Sequence, residues 1–208
     1  RHHRNRRHSI QNVIRQYGRH YKNVRSGKLM GISTLIATLT ASSSASLADT
    51  SSMTSAYDEY MFVCTDMHPA TDAVDFQFQV NVDSASGYNE TITSTHIRVY
   101  HAENGENPTL DYHEAGDQAQ GTAYQTISLD VGNDADQSCS GILHLFSPAS
   151  TTYVTHFYSR FQVYNDSNYS QENLIAGYIN ATEAVTDISF KFESGNIDAG
   201  VIQIYGIA

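Results

Sequence analysis

The chain has no tryptophan, only two cysteines and only three prolines in 208 residues. Each shortage removes something. So little proline rules out a proline-rich linker. Cys64 and Cys139 are too few for a disulfide framework and read as small, partly buried side chains. Without Trp, the largest aromatic platform for a sugar ring is missing. No apolar run approaches the roughly 20 residues that a membrane-spanning helix needs. The G-x-S-x-G nucleophile elbow, the P-loop and the G-x-G-x-x-G fingerprint are all absent.

Charge of one sign is missing from each part of the chain. Residues 1–28 carry nine of the twelve Lys and Arg and no Asp or Glu. All 22 acidic residues fall from Asp49 onward, where Arg98, Arg160 and Lys191 are the only Lys or Arg. An acidic body repels phosphate and is a poor nucleic-acid binder by itself. Two segments follow from this asymmetry: a basic N-terminal arm over residues 1–30 and a body over residues 31–208. In the arm, Ser9 can cap a helix in which Ile10, Val13, Ile14 and Tyr17 recur at helical spacing before Gly18. Arg4, Arg6, Arg7, Arg15, Arg19, Lys22 and Arg25 make it an anchor candidate for an acidic partner, and the only part suited to nucleic acid, with Tyr17 and Tyr21 able to stack on bases. A solvated arm, and a stretch preceding a natural start at Met30, are the other two readings. Lys28 to Ala48 imitates a secretory leader, but Ser33, Thr34, Thr38 and Thr40 interrupt its apolar core, and Leu35–Leu39 suits a strand equally well.

What the body does contain is strand-forming residues: 14 Tyr and 8 Phe, with Val, Ile and Thr filling the periodic segments. Val74, Phe76, Phe78, Val80 and Val82 alternate with polar residues, the period of a strand with one buried face. Tyr60–Asp66 is a continuous apolar run, which suits a strand covered on both faces. His68–Asp72 reads as a loop, and Thr95–His101 as a strand. Ala102–Gln125 reads as a long polar loop with short strands of its own. Thr152–Tyr164 places Tyr153, Phe157, Phe161 and Val163 on one side and Val154, His156, Tyr158, Arg160 and Tyr164 on the other. Asp187–Phe192 and Val201–Ile207, broken by Ser194-Gly195-Asn196, predict a closing β-hairpin. Strand after strand with turn signals between them, and no convincing helix in the body, predict an antiparallel β-sandwich. Its expected core includes Phe76, Phe78, Val80, Phe157, Phe161, Phe190, Phe192, Ile202 and Ile204.

Four segments carry a resemblance: Tyr57–Tyr60 (Y-D-E-Y), Ile142–Ser159, Ala176-Gly177-Tyr178, and Ser194–Ile207, with S-G-N-I-D-A-G and Y-G-I as the most specific parts. Together they resemble a group of small β-rich virion proteins of tailed phages from aquatic bacteria, described as structural, tail-fibre-like or capsid-associated. The resemblance spans Ile32 to Ala208 and implies a jelly-roll-like sandwich on the outside of a particle, often trimeric. It implies no catalytic residue.

Candidate chemistry is sparse. Asp130, Asn133, Asp134 and Asp136 put hard oxygen ligands in one turn, as Ca²⁺ prefers, without the closing Glu of an EF-hand; a solvated acidic turn is the plain alternative. His96, His101 and His113 lack zinc-ligand spacing. Cys64 with His68, and Asp111 with His113 and Glu114, are the only nucleophile–base or carboxylate groupings, and neither spacing identifies an enzyme. Tyr158 and Tyr164, on the outer side of an aromatic strand, suggest a subunit interface. The expectation is a non-enzymatic virion protein without a cofactor. It would meet other virion proteins, self-associate as a trimer and contact a host surface glycan. A carbohydrate-binding module of a secreted protein is the alternative.

Overall fold

The computed structural model describes residues 33–208, and Ser33–Ile207 form one compact unit. The regular elements of these residues are all strands, thirteen in chain order: β1 (Ser33–Thr40), β2 (Leu47–Asp49), β3 (Glu59–Pro69), β4 (Val74–Val82), β5 (Ile92–Ala102), β6 (Thr109–Tyr112), β7 (Ala119–Gly121), β8 (Gln125–Val131), β9 (Cys139–Phe146), β10 (Thr155–Tyr164), β11 (Tyr169–Ile179), β12 (Val185–Phe192) and β13 (Ile197–Ile207). They form two antiparallel sheets, a β-sandwich. The larger runs β1-β13-β3-β9-β10-β11-β5-β6, with β7 also paired to β5; the smaller runs β2-β12-β4-β8. The first five strands alternate between the sheets, and only β9-β10-β11 form a long meander within one.

The core lies where the two sheets face each other. Phe76 and Phe78 of β4 and Phe190 and Phe192 of β12 meet Phe62, Phe157 and Phe161 of the larger sheet, all buried. Phe76 stacks on Phe190 at 6.0 Å, and Phe78 meets Phe157 edge to face at 5.2 Å. All nine residues expected in the core are buried.

Four expectations are corrected. The closing segments are not a hairpin: β12 pairs with β2 and β4, whereas β13 pairs with β1 and β3, so Ser194–Asn196 crosses from one sheet to the other. Tyr60–Asp66 is not covered on both faces; Tyr60, Phe62 and Cys64 are buried while Met61 and Val63 are only half-buried on the opposite side. The strand there continues through His68 to Pro69, because β13 offers Ala199 and Ile197 as partners. Tyr153 lies before β10 begins and is exposed, so it contributes nothing to the core. The polar stretch 102–125 does contain two short strands, β6 and β7.

The smaller sheet has four strands against the larger sheet's nine, so β5 and β6 extend past it. The inner side of β5 is covered there by the loop that follows β6. His113 N–H donates to the His96 carbonyl, and Gln125 Nε2 donates to the Gly116 carbonyl. Gly116 sits so close that a Cβ would come within 2.1 Å of His96 Nδ1, so only glycine fits without displacing the imidazole.

Candidate assembly surface and polar groove

On the outer side of the larger sheet, register places side chains in continuous rows. One row reads Leu35, Tyr205, Met61, His144, Tyr158 and Ala176 across six strands. The next reads Gln203, Val63, Ile142, Arg160, Leu174, Ile97 and Tyr112. Val99 and Leu110 are paired in a third. Of the eight large apolar side chains exposed among the described residues, all but Tyr153 belong to this face; Leu110 is 72% and Tyr158 43% accessible. Tyr158 stacks on His144 at 4.5 Å, and Phe146 lies 5.6 Å from Tyr158. Glu59 holds the His144 imidazole through a 2.5 Å contact to Nδ1, and Arg160 pairs with Glu172. The face therefore gathers exposed apolar side chains among polar ones such as Gln203, Arg160, Gln162 and Glu172, whereas single scattered apolar residues are the norm on a monomer surface.

Tyr164 shares that side of β10 but sits at its end, half-buried, with its hydroxyl donating to Asn168 Oδ1 at 2.9 Å. Tyr158 is thus central to the face and Tyr164 peripheral. The aliphatic members Ile97, Val99, Leu110 and Leu174 were missed by sequence reasoning. Their signal was present: β5 carries Ile97 and Val99 on the parity opposite to Ile92, an inversion that a search for one apolar face passes over.

The inner side of the same strands leads to a groove between β5, the end of β8 and the β10–β11 turn, where Arg98, Tyr100, Asp130, Asp166 and Tyr169 gather. Arg98 donates to both Asp111 oxygens, from Nε at 3.2 Å and from Nη2 at 2.8 Å; this pair holds the guanidinium pKa up and the carboxyl down. Asp130 is partly buried, with φ 51°; burial first, and then Asp166, push its pKa up.

The residues of the Ca²⁺ candidate take different partners. Among the described residues no three His, Cys, Asp or Glu side chains come together as a metal site, so Asp130, Asp134 and Asp136 are not gathered around one point. Asp130 belongs to the groove. Asn133 instead ties back to Asp72 and the Ala70 carbonyl, and the Asp134 N–H donates to Gln137 Oε1. The other groupings also separate. Cys64 is buried, and burial raises its pKa well above that of a free thiol, while His68 Nδ1 contacts the Gln137 carbonyl at 2.7 Å. Both cysteines are free and buried. Asp111 is taken by Arg98, Tyr112 by Asp117, and His113 lies edge-on to His96 at 5.3 Å. The seven arm residues Arg4, Arg6, Arg7, Arg15, Arg19, Lys22 and Arg25 lie outside the described residues. No helix of the described residues is long and apolar enough to cross a membrane.

Compared with known protein families, curated proteins and solved structures, the chain matches none.

Proposed function

We propose that this chain is a structural subunit of a phage particle, tail-fibre-like or capsid-associated, that works by assembly rather than catalysis. In this reading the sandwich forms a trimer through the outer side of its larger sheet. The basic arm, through Arg4, Arg6, Arg7, Arg15, Arg19, Lys22 and Arg25, then anchors the trimer to an acidic surface of the particle. The observation that carries the proposal is that seven of the eight exposed large apolar side chains among the described residues lie on this one face. Eight strands at about 4.8 Å spacing and three to four side-chain rows give roughly 700 Å², close to the roughly 800 Å² that each partner of a stable complex contributes. Its aliphatic and tyrosine side chains set among polar ones have the mixed make-up of a protein interface. The resemblance to phage virion proteins supports the setting.

Light scattering of the full chain tests the assembly. A trimer mass is expected, and Ile97→Lys with Leu174→Lys should reduce it to a monomer without loss of fold. A monomer mass independent of concentration would sink the proposal. Mass spectrometry of purified particles tests the setting separately.

A further inference from the structure

The groove on the inner side of β5 has a volume of about 660 Å³ and is open to solvent. That is within the several hundred Å³ of sites that hold small ligands. It lies on the side of the sheet opposite the apolar face, so its role does not depend on the assembly reading.

Its lining is chemically mixed. Within its lining the Tyr100 and Tyr169 rings meet at 5.7 Å and 64°, giving an angled aromatic surface. Arg98 lies over the Tyr100 ring at 4.8 Å and is oriented by Asp111. Two of the five guanidinium N–H groups are used on Asp111, which leaves donors in a fixed direction. Asp130 and Asp166 also line the groove, with the Asp166 N–H donating to the Asp130 carbonyl at 3.2 Å. Asp166 takes one bond from Ser167 Oγ and keeps further acceptor capacity. The turn that carries Asp166 and Tyr169 is fixed by Asn165, whose Oδ1 accepts from the N–H groups of both Ser167 and Tyr169.

Acceptors, donors and an aromatic surface lining one groove match a ligand that is donor, acceptor and apolar at once. A sugar ring has hydroxyls of both kinds and a C–H face. An anionic ligand would meet Asp130 and Asp166, while the Arg98 charge is already paired with Asp111. We infer that this groove binds a neutral saccharide, whose hydroxyls donate to Asp130 and Asp166 and accept from Arg98 while a ring face rests on Tyr169.

The test uses the full chain and saturation-transfer NMR followed by titration calorimetry. The probes are neutral hexose, deoxyhexose and N-acetylhexosamine oligosaccharides, with uronic-acid and amino-sugar counterparts. At least one neutral saccharide should bind at low-millimolar concentration or better, and its acidic counterpart more weakly. Asp166→Asn removes the charge and keeps the shape; it should lower affinity about tenfold, the size of one charge-assisted hydrogen bond. Tyr169→Ala should abolish binding, with the thermal transition measured beside it. Absence of binding by every neutral saccharide would overturn the inference. So would affinity unchanged in Asp166→Asn, or a preference for the acidic or amino sugars.

Discussion

Where β4 and β12 face β3 and β10, the space between the sheets is filled by seven of the eight phenylalanines. Under β5 and β11 the same layer holds Ser94, His96, Gln125, Gln171 and Asn173, just as deeply buried. The difference follows from what covers each region. A sheet presents side chains to its partner and spends its own backbone groups within itself, so apolar rings can fill the gap. A loop presents backbone N–H and C=O groups, which cannot be buried without partners. Hence Gln125 donates to the Gly116 carbonyl, Ser94 Oγ accepts from the Gln118 N–H, and His96 Nε2 contacts Asn173 Oδ1 at 3.0 Å. Burial lowers the His96 pKa, which keeps the imidazole neutral in this network. Buried polarity here marks the boundary of the smaller sheet.

If that account holds, the two regions respond differently to truncation. Phe78→Ala, in the aromatic region, should cost about 3–5 kcal/mol in urea unfolding. A loss below about 1 kcal/mol would mean that the rings are not a packed core. Asn173→Ala, in the polar region, removes the acceptor of His96 and should cost about 1–3 kcal/mol, the penalty for a stranded buried donor. A loss as large as that of Phe78→Ala would erase the contrast.

Asp75 sharpens the comparison by pH. It joins β4 to the end of β8, accepting from the Asp130 N–H at 3.1 Å and from Thr126 Oγ1 at 3.2 Å. Burial raises its pKa from 3.8 to about 6. A carboxyl whose folded pKa is raised gives its full stabilisation below the unfolded pKa and loses it as pH rises through the folded one. Acidification from pH 7 to 4 should therefore stabilise the fold through this group. Asp75→Asn removes the charge, keeps an acceptor for the Asp130 N–H and lets its amide N–H donate to Thr126 Oγ1 in place of the bond Asp75 accepts, so at pH 7 it should gain about 2 kcal/mol and flatten the profile between pH 4 and 6. Unchanged pH dependence would refute this. His96 acts with the opposite sign, since its lowered pKa costs stability as pH falls. The smallest effect is expected from the arm: a chain starting at Met30 should keep the thermal transition of the full chain, and a large drop would show that the arm packs on the sandwich.

The aromatic region was legible in the sequence because period-2 alternation reports directly on burial against a sheet. Val74 to Val82 is such a run, and its apolar members are all in the core. The polar region was not legible. Ser94, His96 and Asn173 look like surface residues, and their burial depends on a loop near residue 116 that no local pattern ties to β5. The groove was hidden for the same reason, since Arg98, Asp130 and Tyr169 come from three separated strands. Of its residues only Asp130 had been singled out, and for Ca²⁺. The false hairpin at the C-terminus shows the remaining limit: alternation identifies β12 and β13 as strands but does not say which sheet either joins.

That last placement bears on how the chain folds. β13 lies between β1 and β3, and its register joins Ile202 to Leu39 on one side and to Cys64 on the other. Until β13 has been synthesised, β1 has no partner in the larger sheet and β3 has one open edge. A nascent chain therefore exposes unpaired strand edges until β13 emerges, and closes them in a single event. Such long-range pairing slows folding and leaves intermediates prone to aggregate. The emergence of β13, rather than of any earlier strand, sets the moment at which this sheet becomes whole.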